Sequence, residues 1–270
     1  MKSTPKAGLL SRHNNLLWRS FLVIIFLGVI ASFVKIGVAL LDIHSGESRS
    51  MRYSVVPAEV PAVRLIALTF DDGPHPEYTP KILDILDCFG AKATFFTVGK
   101  MAAKYPELVK EIDRRGHEIG NHTYEHRLLT ELSKSETLAE LERDEQEIYS
   151  VIGRRPEVFR PPSGRYNKGT VEAAASMGLS TVLWTNYSDY GAMRSSDVIS
   201  NVMTDPKDGD IILLHSGIDS TLLALPVILQ QLSGRNFGFV TVSALIARNG
   251  KGVLTPGLLR SVRPFTPLTK

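Results

Sequence analysis

Residues 20–41 carry one charge, Lys35, and their apolar positions leave no polar face at helical spacing. A window of 22 residues is long enough to cross a bilayer as a helix, and a lysine near its far end can reach the head groups. Lys2, Lys6, Arg12 and Arg19 precede it, which by the positive-inside rule holds residues 1–19 in the cytoplasm and sends the remainder across. A cleaved signal peptide is the competing reading, but no small-x-small site follows the run, so an uncleaved signal anchor is favoured. Either way the remainder is expected on the outer side of the membrane, in the periplasm or at the cell surface, or secreted if the segment is removed. Residues 42–61 are polar with Pro57 and Pro61 and suit a linker.

The pattern changes at residue 62. Short β-branched and aromatic runs alternate with longer segments of helical period up to residue 247, which predicts an α/β domain with parallel strands. The strands fall at 65–70, 93–98, 117–120, 158–160, 181–184, 210–215 and 239–242, about seven in all. Gly90, Gly116, Gly153, Gly178 and Gly234 each follow an apolar-periodic segment as C-terminal caps do, and Ser133 with Glu136 forms a capping box before the longest helix. No sequence unit repeats. Residues 248–270 show no periodicity and are expected to be a poorly ordered tail.

Composition narrows the class. Hydrophobic residues make up 43% of the 270 and can fill a sizeable core. A net charge of +3, with basic residues largely near the two ends, gives no concentrated basic face, so a nucleic-acid partner is not expected. The single cysteine, Cys88, excludes an internal disulfide or a thiolate cluster, and its apolar helical setting predicts a buried structural thiol.

The residues capable of chemistry collect where the strands end. Asp71, Asp72, His122, Arg160, Asp189 and His215 all lie at or just past the C-terminal end of a predicted strand, the active-site face of a β/α barrel. Asp71-Asp72-Gly73-Pro74 can be read as a turn. Two adjacent carboxylates can also divide their work, one holding a cation while the other serves as a base. His122 and His126, four apart, would share one face of a helical turn, and with a carboxylate they match a two-His-one-carboxylate ligand set that leaves coordination positions open. The bland alternative is a pair of exposed loop histidines. Arg160, fixed by Pro161 and Pro162, is either a surface charge or a bidentate partner for a carboxylate. His215 ends an otherwise apolar strand and, oriented by Asp189, could act as a general acid, or be a satisfied rim histidine.

In order along the chain, these motifs resemble those of the polysaccharide deacetylase family, which shares the NodB homology domain and is also called carbohydrate esterase family 4. The resemblance covers residues 62–247 and implies a distorted, incomplete (β/α) barrel related to the TIM barrel. It implies Asp71 as general base, Asp72, His122 and His126 as metal ligands, and Arg160 as the group orienting Asp71. It further implies His215 as acid, Leu213 lining the pocket for the acetyl methyl, and the backbone N–H of Ser163 stabilising an oxyanion. Ser163 stands where family members commonly have tyrosine or glycine, so an aromatic wall of the sugar groove is missing. In the fourth motif, Trp184 to Tyr190, the first of two spaced aspartates is absent, Asp189 remains and Tyr190 replaces a tryptophan.

The implied reaction is removal of N-acetyl groups from an N-acetylglucosamine-containing polymer, peptidoglycan or chitin-like, with release of acetate. Zinc best suits a His/His/Asp set, and cobalt, nickel or manganese also fit it. The expected partners are an acetylated polysaccharide or oligosaccharide and, through the N-terminal helix, the membrane, with the chain a monomer. An O-acetyl esterase acting on a xylan-like polymer and a non-catalytic carbohydrate-binding barrel are the alternatives.

Overall fold

The computed structural model describes residues 63–189 and 194–248, so the segments 1–19, 20–41 and 42–61, Tyr190 and all but the first residue of the expected tail lie outside the described residues. No described helix is long and apolar enough to cross a membrane.

Strands and helices alternate through most of the domain. The strands are β1 (Arg64–Gly73), β2 (Ala93–Thr97), β3 (Glu118–Asn121), β4 (Val158–Phe159), β5 (Ser180–Thr181), β6 (Asn186–Tyr187), β7 (Ile211–His215) and β8 (Phe237–Phe239). The helices are α1 (Tyr78–Cys88), α2 (Gly99–Lys104), α3 (Pro106–Arg114), α4 (Lys134–Ile152), α5 (Lys168–Ser176), α6 (Ser195–Met203), α7 (Asp219–Gly234) and α8 (Val242–Arg248). Every described strand pair is parallel, in the order β5-β4-β3-β2-β1-β7-β6, with β8 also pairing β1. The two ends of this order, β5 and β6, do not pair, so the barrel is open.

The two-residue alternation of the strands sorts the core into an outer and an inner layer. Ile66, Leu68 and Phe70 of β1 pack outward with Phe95, Ile212 and Leu214 against the helices, Phe70 stacking on its register partner Phe95 at 5.1 Å between ring centroids. Their neighbours Ala67, Phe96, Val158, Val182 and Ile211 pack together in a second cluster. Thr69 and Asp71 follow Ala67, and Leu213 and His215 follow Ile211, at the two-residue spacing. The same alternation therefore carries these residues up the inner face to the strand ends.

Several expectations are corrected. There are eight described strands where seven were predicted, because the two-residue β6 is too short and polar to leave a pattern. The last strand lies at Phe237–Phe239 and not at 239–242, since Thr241 caps the start of α8, its hydroxyl accepting from Ala244 N–H at 3.2 Å. Cys88 is exposed. The buried face of α1 is Thr79, Ile82, Leu83 and Leu86, and a residue two past Leu86 points about 200° away around the helix. Arg248, assigned to the tail, closes α8. The capping box on α4 is present, and Gly153 ends that helix at φ 68°, a left-handed conformation natural to glycine.

Candidate active site

Asp71 and Asp72 are consecutive in β1, and a regular strand would send them to opposite faces. The register between β1 and β2 shifts between Phe70 and Gly73, and Asp72 adopts φ 67°. This bulge turns both carboxylates toward His122: its Nε2 lies 3.8 Å from Asp71 Oδ2 and 3.4 Å from Asp72 Oδ1. Asp72 Oδ1 is also 3.2 Å from His126 Nε2. Aspartate tolerates the left-handed region better than most residues, because its short side chain bonds locally.

The histidines converge through a loop and not, as expected, through a helical turn. Thr123 at φ 64° and His126 at φ 60° fold residues 122–126 back on themselves. For a β-branched threonine that conformation is strained, costing on the order of 1–3 kcal/mol. Hydrogen bonds hold it there: Asn121 Oδ1 accepts from Thr123 N–H at 3.0 Å, Thr123 Oγ1 accepts from His126 N–H at 3.1 Å, and Gly99 N–H donates to Thr123 carbonyl at 3.0 Å. Helix α4 braces the loop from behind. Asp144 accepts from His122 N–H at 2.9 Å, Glu140 accepts from Glu125 N–H at 2.8 Å, and Asn121 Nδ2 donates to Leu141 carbonyl at 2.9 Å. Burial drives the Asp144 carboxyl well above its ordinary range, against the His122 N–H bond that favours its charge.

The donor set fits a divalent cation. His122 Nδ1 lies 2.7 Å from the Arg160 carbonyl, which can only accept, so Nδ1 carries the proton and Nε2 presents a lone pair to the two aspartates. Lone pairs on Nε2 and on carboxylate oxygens repel at 3.2–3.4 Å unless a positive charge lies among them. Ligands about 2.0–2.2 Å from one ion stand about 2.9–3.5 Å apart at angles between right and tetrahedral, which matches these separations. The potential ligand atoms of Asp72, His122 and His126 all fall within 4.8 Å of one another.

Asp71 has different company. It is 3% exposed, and Arg160, wholly buried, reaches its Oδ1 through Nη1 at 2.7 Å. The same Nη1 donates to Thr69 Oγ1 at 2.7 Å, and Nη2 donates to the Leu183 carbonyl at 3.1 Å. The contact with Asp71 is therefore single and not bidentate; the second arm of the fork is spent on the backbone. The guanidinium also sits 4.1 Å from the Phe96 ring centroid.

On the neighbouring strand, His215 is the register partner of Asp71. His215 Nδ1 lies 2.7 Å from Asp189 Oδ1, and a carboxylate can only accept, so the ring turns its Nε2 away from Asp189. Burial opposes protonation of His215, but the bond and charge of Asp189, with the charges of Asp71 and Asp72, raise its pKa above the ordinary 6.5. Leu213 lies buried two residues before it on the same face. Ser163 is exposed at φ 56° in the turn Pro162–Gly164, and Gly164 packs so closely on Trp184 that a Cβ there would stand 2.5 Å from the ring. Tyr190 lies outside the described residues. In the altered motif, Asn186 takes a structural part, its Oδ1 accepting from Ser188 Oγ at 2.6 Å and its Nδ2 donating to the Asn201 carbonyl at 3.0 Å.

Sequence reasoning missed Thr69, Asn121, Glu140 and Asp144. The last two left a signal: they stand four apart, in helical register with Leu141 and Ile148 on the buried face of α4, where isolated acids do not belong.

An open parallel barrel with this constellation at its C-terminal rim defines a hydrolase of the NodB type. The family model for polysaccharide deacetylase matches residues 59–182. Over 189 residues the chain is 39% identical to a peptidoglycan-N-acetylglucosamine deacetylase of Bacillus cereus, covering 68% of this chain and 88% of that protein. It is 33% identical to the peptidoglycan-N-acetylglucosamine deacetylase PgdA of Listeria monocytogenes over 216 residues, 78% of this chain but only 46% of that one. The solved structure of the peptidoglycan deacetylase PdaC from Bacillus subtilis superposes with a TM-score of 0.66 at 35% identity, over 70% of this chain and 93% of that one. The chain belongs to the polysaccharide deacetylase family, carbohydrate esterase family 4, and is a hydrolase of that class.

Proposed function

We propose that this protein is a metal-dependent deacetylase that hydrolyses N-acetyl groups on N-acetylglucosamine of a cell-wall polymer, anchored by residues 20–41 with its catalytic domain, residues 62–247, outside the cytoplasm. The observation that carries the reading is the bulge at Asp71-Asp72, which sends two neighbouring carboxylates to one site and gives them different partners. The names of similar proteins, which act on peptidoglycan, support that polymer as substrate.

Asp71, held by Arg160, takes a proton from the attacking water. Asp72, His122 and His126 would hold a divalent cation, zinc in the first instance, which would supply Lewis-acid polarisation of the acetyl oxygen. The backbone N–H of Ser163 donates to the oxyanion as the tetrahedral centre forms. Breaking the C–N bond needs a proton on nitrogen, and His215 Nε2, facing away from Asp189, delivers it. Acetate and a free amine result. Leu213 lines the acetyl pocket, and Trp184 and Tyr190 are assigned to contacts with the sugar. The chain works as a monomer.

The test is release of acetate by the full chain in detergent, supplied with zinc, cobalt, nickel or manganese, from N-acetylated chitooligosaccharides, peptidoglycan and acetylxylan. Acetate matched by new free amines on the first two is expected. Acetate from acetylxylan alone assigns an O-acetyl esterase, and none from any substrate with the metal loaded refutes the proposal.

A further inference from the structure

Asp189 is wholly buried, and its Oδ2, the oxygen turned away from the imidazole ring, is held from two elements. The His215 backbone N–H, at the end of β7, donates to it at 2.7 Å, and the Thr221 hydroxyl, in the first turn of α7, donates to it at 2.5 Å. Thr221 is itself 1% exposed. A single donor leaves a carboxylate able to pivot about its terminal bond. A second donor on the same oxygen, from a different element, fixes the plane in which Oδ1 meets His215 Nδ1. A carboxylate offers the hydroxyl only an acceptor, so Thr221 must donate.

We propose that Thr221 is a positioning residue for the proton donor: its hydroxyl locks the Asp189 carboxylate so that His215 is held with Nδ1 protonated and Nε2 directed at the leaving nitrogen. This rests on the reading of His215 as the acid. The Thr221 hydroxyl bonds to Asp189, and it is through that carboxylate that it acts. A purely structural threonine, filling space between α7 and β7, would be replaced by valine at a cost in stability and with no preference among substrates.

The experiment uses full-length Thr221→Val and Thr221→Ser beside wild type and His215→Ala. Turnover is measured on an N-acetylated chitooligosaccharide and on an activated acetyl ester, whose leaving group departs without a proton. Thr221→Val is expected to lower kcat on the amide by about 10- to 100-fold, with KM within about 2-fold and the ester rate within about 3-fold, and Thr221→Ser to restore the amide rate. Equal loss on amide and ester, an unchanged amide rate in Thr221→Val, or no restoration by serine overturns the proposal. A readout free of catalysis separates it from the assigned function. In histidine-labelled protein, the Nδ1–H resonance of His215, assigned by its loss in His215→Ala, should be sharp and downfield in wild type and Thr221→Ser but shifted or exchange-broadened in Thr221→Val. If the wild-type chain releases no acetate, the functional reading fails while this resonance still decides the positioning claim; an unchanged resonance in Thr221→Val refutes it.

Discussion

Replacing Arg160 with methionine removes the guanidinium while filling much of its volume, and so isolates the electrostatic part of its role. Arg160 is fully buried and Asp71 is 3% exposed, with 2.7 Å between Nη1 and Oδ1. Removing one member of a buried pair strands the other charge without solvent, which costs about 3–5 kcal/mol. The Leu183 carbonyl also loses its donor. At this domain size about 1 kcal/mol moves the melting midpoint by roughly 2–4 °C, so Arg160→Met should melt about 6–20 °C below wild type. Thermal unfolding followed by circular dichroism, with both proteins stripped of metal, gives the number. Combining Arg160→Met with Asp71→Asn removes the stranded charge, and the double variant should be more stable than the sum of the single losses allows. An Arg160→Met midpoint within about 2 °C of wild type, or strictly additive losses in the double variant, would refute the account of this pair.

His122→Ala and His126→Ala should each lower bound metal and activity together, since a three-ligand site with one ligand gone loses much of its affinity; full occupancy by elemental analysis in both would sink the ligand set. Because the folded pKa of His215 is raised, its contribution to stability is complete below pH 6.5 and fades as pH climbs through the raised value. Metal-free wild type should therefore lose stability relative to His215→Ala over that window, and parallel pH profiles for the two proteins would contradict the assignment. The proposed anchoring by residues 20–41 predicts that full-length protein stays with membranes through a high-salt wash, whereas a mature N-terminus beyond Leu41 would reveal a cleaved signal.

The elements with strong local patterns were legible in the sequence. Ser133 and Glu136 mark the start of α4 as read, and the apolar run to His215 is β7 within a residue of its expected start. The pairing of Asp189 with His215 followed from strand-end placement, and that of Arg160 with Asp71 from the resemblance to the deacetylase family. What escaped depends on tertiary context. Strict alternation places Asp71 and Asp72 on opposite faces, and only the bulge against β2 reunites them. Four-residue spacing suggested a helical turn for His122 and His126, but α4 braces their loop, left-handed at Thr123 and His126, through Asp144 and Glu140. The cysteine was misplaced because an apolar neighbourhood in sequence does not say which way round a helix a residue points.

The division of labour between the paired aspartates is tested most directly by measuring metal content and acetate release side by side in Asp71→Asn and Asp72→Asn. Asparagine keeps the shape of aspartate but cannot take a proton at neutral pH, and its amide oxygen is a weaker ligand than a carboxylate. Asp71→Asn is expected to keep its metal while turnover falls by on the order of 10² to 10⁴, the usual contribution of a general base. Asp72→Asn is expected to lose metal and, with it, activity. Turnover near wild type in Asp71→Asn, with full metal and no turnover in Asp72→Asn, would contradict the account and exchange the two roles.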